Sequence, residues 1–271
     1  MSATDKVFAG SVPKLYDEYL VPLIFSAYAD DIARRVAALS PSVLLEIAAG
    51  TGAVTRAVAA VLPPRVRYVA TDLNEPMLAV AMQRQGEDPR ISWRQADALA
   101  LPFDDAAFDV VCCQFGAMFF PDRTKGYAEA KRVLKPNGTY LFSVWDRIED
   151  NVFAEDATVT LGKMFPDDPP LFMARTPHGY HDKAVIKADL ERAGFTDISI
   201  ETRSTMSRAP SAEYVAIAYC QGTPLRGEIE ARDASKLQAA TDAVAEAIRM
   251  RHGSGPVEAG IQALVITARP S

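Results

Sequence analysis

The chain has 271 residues, 49% hydrophobic and 24% charged, with 29 basic and 35 acidic side chains giving a formal net charge of −6. These proportions belong to a folded globular protein, not a disordered or fibrous one. An acidic balance without a basic stripe argues against nucleic acid as a primary ligand. No apolar stretch reaches the ~18 residues needed to cross a bilayer.

The first 40 residues read as one or two helices, an N-terminal helical cap, with Tyr16, Tyr19, Leu20, Leu23, Ile24 and Tyr28 roughly on one face. The opening MSATDKVFAGSVPK lacks the long apolar core of a signal peptide. The three cysteines, Cys112, Cys113 and Cys220, are too few for a disulfide framework. A reducing, cytoplasmic setting is therefore expected. From residue 43 onward, short apolar runs alternate with helical segments. VLLEIA (43–48), RYVATD (67–72), ISWRQAD (91–97), FDVVCCQ (108–114) and TYLFSVW (139–145) have strand composition. Helices are predicted at about 52–62, 75–85 and 123–134, the last stopped by Lys135-Pro136-Asn137-Gly138. Near-continuously apolar strands alternating with helices predict an α/β doubly wound domain, a parallel sheet covered on both faces.

After Trp145 the pattern changes. Residues 147–183 carry acids, scattered aromatics and four prolines (Pro166, Pro169, Pro170, Pro177), which suits an irregular insertion. A helix over about 183–193 ends at Gly194, FTDISIETR (195–203) resumes as a strand, 211–251 is helical again, and IQALVITA (261–268) is the last strand.

The residues with chemical content cluster at strand ends. The first strand runs into Glu46-Ile47-Ala48-Ala49-Gly50-Thr51-Gly52, a tight glycine turn opening a helix, where a ligand can approach the backbone and free N–H groups. A dinucleotide fingerprint would place a third glycine at Thr55, and Glu46 would repel a pyrophosphate while suiting a cation or an amine. Asp72 ends the second strand, where a carboxylate can accept from both hydroxyls of a ribose. Leu73 and Met77 follow as apolar cover for an adenine face. The third strand ends in Asp97-Ala98, where the carboxylate or adjacent backbone can reach an exocyclic amine. Each acid also has a bland reading, Asp72 as a helix cap and Asp97 as the start of a loop. Three acids at the carboxyl ends of three consecutive strands favour a site.

Four blocks, LLEIAAGTG (44–52), VATDLNEPML (69–78), QADALALPFDDAAFDVVCCQFGAMFFPD (95–122) and AKRVLKPNGTYLFSVW (130–145), carry a family likeness. Through them the chain resembles the class I S-adenosylmethionine-dependent methyltransferases, particularly the small-molecule branch with the ubiquinone/menaquinone C-methyltransferase-like proteins. The resemblance implies a Rossmann-like seven-stranded sheet of order 3-2-1-4-5-7-6 with helical cap and lid insertions. It implies contacts to the methionine part of the cofactor from Glu46, Ala48, Gly50 and Gly52, to the ribose from Asp72, and to the adenine from Asp97 and Ala98, with Thr51 also among the cofactor-binding residues. Gln114-Phe115-Gly116 would line the methionine side and face the acceptor, and Tyr16 would lie over the cofactor. Ala48 departs from the family's usual first glycine, and Asn137-Gly138 from its Gly-Gly.

The expected organisation is one methyltransferase domain over 1–271, with the cap at 1–40, the cofactor-binding core at 43–146, and lid or substrate insertions at 147–183 and 205–259. The expected function is methyl transfer from S-adenosylmethionine to a small aromatic or lipophilic acceptor by in-line displacement, catalysed mainly by positioning. No catalytic side chain is assigned and no metal is expected: His178 and His181 are the histidines of the insertion, and they lack accompanying ligands. The expected partner is that small acceptor, with neither nucleic acid nor a membrane span, and a homodimer is the assembly to look for. Tyr16, Tyr19, Met118, Phe119, Phe120, Trp145, Phe165, Phe172, Met173 and Tyr180 are candidates for an acceptor pocket. Two alternatives remain open at this point. One is a cofactor-binding module without catalysis; the other is an NAD-type oxidoreductase, against which Glu46, Thr55 and the terminal strand pair count.

Overall fold

The structure, a computed structural model, describes residue 8 and residues 10–270; the rest of the expected N-terminal cap, residues 1–7 and 9, lies outside the described residues. The apolar runs become β1 (Val43–Glu46), β2 (Arg67–Asp72), β3 (Ile91–Gln95), β4 (Phe108–Gln114) and β5 (Leu134–Trp145), followed by β6 (Phe195–Ala209) and β7 (Val257–Pro270). They form one seven-stranded sheet of order β3-β2-β1-β4-β5-β7-β6, as the family resemblance implies. β1 pairs in parallel with β2 and β4, with Leu44 opposite Tyr68 on one side and Val110 on the other. β2–β3 and β4–β5 are also parallel. Every residue of β1 is buried, which is why its sequence is apolar without alternation until Glu46.

The described residues divide into two compact units. One is built from Ser26–Val144, His181–Arg203 and the described residues from Ala263 on; the other from the described residues up to Phe25, Trp145–Tyr180 and Ser204–Gln262.

In the sheet unit, α2 (Ser26–Leu39) and α3 (Ala53–Val61) cover one face. Ala29, Ile32, Ala33 and Val36 of α2 fall at helical spacing and pack with Val54 and Val58 of α3 on Leu44, Tyr68, Ala70, Val110, Cys112 and Leu141. Each large apolar side chain buried there contributes about 1.5–3 kcal/mol. The opposite face of β5 is aromatic. Tyr140 stacks on Phe142 at 4.8 Å and on Phe195 of β6 at 5.9 Å, and Tyr127 of α5 (Arg123–Val133) lies 5.2 Å from Phe142. α4 (Glu75–Gln85) follows β2, and α8 (Lys183–Arg192) precedes β6. Asp122 caps α5 by accepting from Lys125 N–H, and Asp182 caps α8 by accepting from Ala184 and Val185 N–H. At the other end of the sheet, Asp109 accepts from Ser42 and Val43 N–H at 2.8 Å each and pairs with Lys135 at 2.7 Å. This one carboxylate fixes the start of β1 against β4 and β5.

In the second unit, α1 (Val12–Leu15) leads into a ten-residue π-helical stretch, Tyr16–Phe25, containing Pro22. The spacing predicts one or two ordinary helices with Tyr16, Tyr19, Leu20, Leu23, Ile24 and Tyr28 roughly on one face. The wider turn re-phases that stretch, so Asp17, Leu20, Val21, Leu23, Ile24 and Phe25 are buried while Tyr16 and Tyr19 are half-buried. The segment after Trp145 is more regular than expected: α6 (Val152–Met164) occupies it before the prolines begin, with Phe153, Ala154, Ala157 and Leu161 buried at helical spacing. A short α7 (Phe172–Arg175), then α9 (Ala212–Gln221), α10 (Leu225–Asp233) and α11 (Leu237–His252) complete this unit, with α11 packed on α6 and α9. Asn151, buried at the start of α6, gives its amide to the carbonyl of Gln262 and accepts from the Gln262 N–H, bonding α6 to β7.

Candidate functional site

The carboxyl ends of β1, β2 and β4 meet in the sheet unit, and the glycine turn fills the space above them. Gly50 and Gly52 have φ of +58° and +80°, values a glycine adopts without penalty. A side chain at Gly52 would come within 3.0 Å of Ala81 Cβ, so α4 closes on the turn where it opens α3. Ala48 takes φ +56° with a methyl group, and Phe115, just past β4, takes φ +52°. These two strained residues stand at the ends of adjacent strands, where such strain is commonly found near binding sites. They also flank a close approach: a Cβ on Gly116 would sit 2.5 Å from Ala48 Cβ and 2.8 Å from Cys113 Sγ.

Backbone bonds hold the turn in place. Ile47 N–H donates to Cys112 O, Ala49 N–H to Thr71 O and Gly52 N–H to Ala49 O. The Thr71 hydroxyl donates to Glu46 O at 2.8 Å.

Asp72 closes the cradle from β2. One carboxylate oxygen accepts from Gly50 N–H at 2.8 Å and the other from Asn74 N–H at 2.7 Å. The acid at the end of β2 and the turn at the end of β1 are thus one preformed unit. Burial raises the Asp72 carboxyl above its ordinary value, against the pull of the Asn74 and Gly50 amides. The Asn74 side-chain amide also donates to Oδ1, at 3.4 Å the longest of the three bonds. Leu73 beside it is 44% exposed, while Met77 is buried with its Cε 3.7 Å from where a Gly50 side chain would start. Asp97 is exposed and accepts from Leu99 N–H at 2.9 Å; Ala98 next to it is buried.

Glu46 lies one layer deeper, 1% exposed, on the face that α2 and α3 cover. Its Oε2 accepts from the Thr55 hydroxyl and the Tyr68 hydroxyl, each at 2.6 Å. Burial pushes its carboxyl up to about 7, only partly offset by the two hydroxyls. In the sequence Glu46 is a plain negative charge, and its burial in the structure makes it a group that titrates near neutrality. The sequence signal for Tyr68 is a polar-tipped side chain in an apolar strand, two pleats before Asp72 and on the same face. In the sequence Thr55 stands out only as the position where a dinucleotide fingerprint would place a glycine.

On β4, Phe115 meets Tyr28 of α2 edge-on at 5.3 Å, and Gln114 is in register with Ser143 of β5. The Thr51 and Ser143 hydroxyls are buried without a hydrogen-bond partner among the described residues. Tyr16 belongs to the other unit, where it stacks on Phe25 at 5.1 Å. In that unit, too, His178 is buried and its Nδ1–H donates to Asp146 O at 2.8 Å, 6.0 Å from the Trp145 ring. Met118, Phe119 and Phe120 of the aromatic set fall in the sheet unit, and Tyr19, Phe165, Phe172, Met173 and Tyr180 in the other. Among the described residues, no cluster of His, Cys, Asp and Glu is placed to hold a metal ion, and no helix is long and apolar enough to cross a membrane.

Comparison with known proteins bears on the same stretch. A family profile described as a methyltransferase domain matches residues 45–142. The demethylmenaquinone methyltransferase of Clavibacter sepedonicus is 42% identical over 105 residues, 39% of this chain and 42% of that protein. The demethylmenaquinone methyltransferase of Deinococcus radiodurans is 39% identical over 144 residues, 50% of this chain and 57% of that protein. The chain therefore spans about half the length of these relatives. Among solved structures, phosphoethanolamine N-methyltransferase 2 of Haemonchus contortus, in complex with phosphomonomethylethanolamine and S-adenosylhomocysteine, matches with a TM-score of 0.64 at 17% identity, covering 100% of this chain and 61% of that one. At that identity the likeness concerns the fold.

Proposed function

We propose that this chain, whose residues 45–142 match a methyltransferase-domain profile, is a class I S-adenosylmethionine-dependent methyltransferase of the ubiquinone/menaquinone type that transfers a methyl group from S-adenosylmethionine to a small, lipophilic aromatic acceptor. The observation that carries the cofactor assignment is the bond from Gly50 N–H to Asp72, which joins turn and acid into one cradle before any ligand arrives. Asp72 holds the ribose diol, and the turn Ala48–Gly52 receives the amino-acid part. Leu73 and Met77 cover the adenine, with Asp97 and Ala98 at its polar edge. Gln114 and Phe115 line the side toward the acceptor.

When bound, S-adenosylmethionine supplies a methyl group on a cationic sulfur whose leaving group is a neutral thioether. No general acid is then required of the protein. Its residues bind, orient and exclude water, and alignment alone is worth about 7–11 kcal/mol of barrier. The acceptor class follows the two curated relatives, both named for demethylmenaquinone.

Calorimetric titration tests the reading. S-adenosylhomocysteine is expected to bind and NAD to leave the protein unchanged, and Asp72→Ala is expected to weaken nucleoside binding by about 1–3 kcal/mol through lost hydrogen bonds. Formation of S-adenosylhomocysteine from S-adenosylmethionine with a demethylated naphthoquinol tests the acceptor. Tight NAD binding without a response to either sulfur nucleoside would sink the assignment.

A further inference from the structure

The Glu46 cluster is built so that a proton can come and go without moving an atom of the site. Both hydroxyl donors, Thr55 of α3 and Tyr68 of β2, reach the same carboxylate oxygen, Oε2. Neither bond uses Oε1. A proton therefore adds to Oε1 and leaves both bonds to Oε2 in place, since a neutral carboxylic acid still accepts at its carbonyl oxygen. What changes is charge, not shape, and the change happens beneath the glycine turn.

The surroundings hold few other ionisable groups. From α3, Arg56 acts on Glu46 and favours its ionised form, and from β2 Asp72 opposes it. Tyr68 is itself pushed well above its ordinary value by burial, and burial likewise raises the Cys112 and Cys113 thiols of β4, so all three stay neutral near pH 7. The α2 residues packed over this face are apolar, Ala29, Ile32, Ala33 and Val36. Burial of Glu46 sets its midpoint at about 7.

We propose that Glu46 is a proton-linked positioning residue that sets the preference of the site for the cationic cofactor over its neutral product. The inference rests on the S-adenosylmethionine reading above. Ionised, Glu46 adds a negative charge in a low-dielectric layer under the turn, which attracts a sulfonium and is indifferent to a thioether. Protonated, it leaves the two nucleosides to be distinguished by shape alone. The ratio of their affinities then rises with pH through the neutral range, and product release is relatively disfavoured at the acid end.

Two measurements on the full chain test this. In the ligand-free protein, carbon-13 NMR of the Glu46 carboxyl is expected to titrate near 7; a midpoint in the ordinary carboxylate range overturns the proposal. Calorimetric affinities for S-adenosylmethionine and S-adenosylhomocysteine at pH 6 and pH 8 are expected to show their ratio shifting about three- to tenfold toward the cationic ligand at the higher pH. Glu46→Gln is expected to flatten that dependence. Tyr68→Phe, which removes one donor to the ionised form and keeps the ring, moves its midpoint to higher pH and serves should Glu46→Gln fold poorly. Binding of both nucleosides at a pH-independent ratio in the unaltered protein overturns this inference alone. Failure of both to bind at any pH overturns the cofactor reading and this inference with it.

Discussion

Burying the Glu46 carboxyl costs stability only when it is ionised. Its ordinary midpoint is near 4.5 and the folded one about 7, so the folded state binds the proton more tightly than the unfolded chain does. The group's contribution is therefore fully present below pH 4.5 and is lost as pH rises through 7, a fall on the order of 3 kcal/mol. Urea unfolding from pH 5 to pH 8 is expected to show Glu46→Gln gaining stability relative to the unaltered protein as pH rises; a pH-independent difference would count against a titrating Glu46. At the turn, Ala48 and Gly116 form a second residue-scale test. Ala48→Gly relieves left-handed strain but frees the unfolded chain, and is expected to change stability by less than about 1 kcal/mol. Gly116→Ala is expected to cost about 1–3 kcal/mol by overpacking. That cost should shrink when Ala48 is already glycine, because the nearest obstructing atom is then gone. The sequence exposed Glu46 and the glycines as types at suggestive spacing. The Thr55–Glu46–Tyr68 cluster was not legible, since its members come together only when β1, α3 and β2 pack.

Among elements, the legible ones are those whose burial is uniform. β1, β2 and β4 are apolar runs enclosed by helices, and their register brings Glu46 and Asp72 to one end without further instruction. Asp109 sets that register from the opposite end, and Asp109→Ala leaves the Ser42 and Val43 amides without their acceptor. Equilibrium unfolding is expected to record a loss of about 1–3 kcal/mol for Asp109→Ala. Asp109→Asn should lose less, since it keeps an acceptor for the two amides and forfeits only a partly exposed ion pair. The illegible elements are those whose local signals mislead. The Tyr16–Phe25 stretch carries a helical period but winds as a π-helix, so apolar positions counted at 3.6 per turn fall out of phase. In 147–183 the four prolines suggested irregularity throughout, yet all lie beyond α6, whose buried Phe153, Ala157 and Leu161 repeat at four-residue intervals.

Across the whole molecule, any ligand that binds only the folded chain raises its stability by mass action. At S-adenosylhomocysteine a hundredfold above its dissociation constant, the gain is expected to be about 2.7 kcal/mol, seen as a higher Tm in thermal unfolding. The Asp72→Ala protein should lose most of that gain at the same concentration, and NAD should give none. An equal shift with NAD would contradict the cofactor assignment. The excess of 35 acids over 29 bases has in part a local meaning at this scale. Glu46 and Asp72 are acids that the fold buries, against a desolvation cost that raises both carboxyls, and such costs are commonly kept where a ligand is bound.

Composition and pattern by themselves determined the fold class and which residue types stand at the strand ends, while the strand order came from the family resemblance carried by the four motif blocks. They do so because parallel strands buried on both faces must be apolar, and because a turn that meets a ligand closely must be small. Only the tertiary structure decided that Asp72 bonds back to Gly50, that Ala48 and Gly116 touch, and that Glu46 shares one oxygen between two hydroxyls. Those contacts join residues 22, 68, 9 and 22 positions apart, respectively. Desolvation, which turns Glu46 from a fixed charge into a proton-responsive one, is a property of what surrounds it, and no single segment of the chain specifies that.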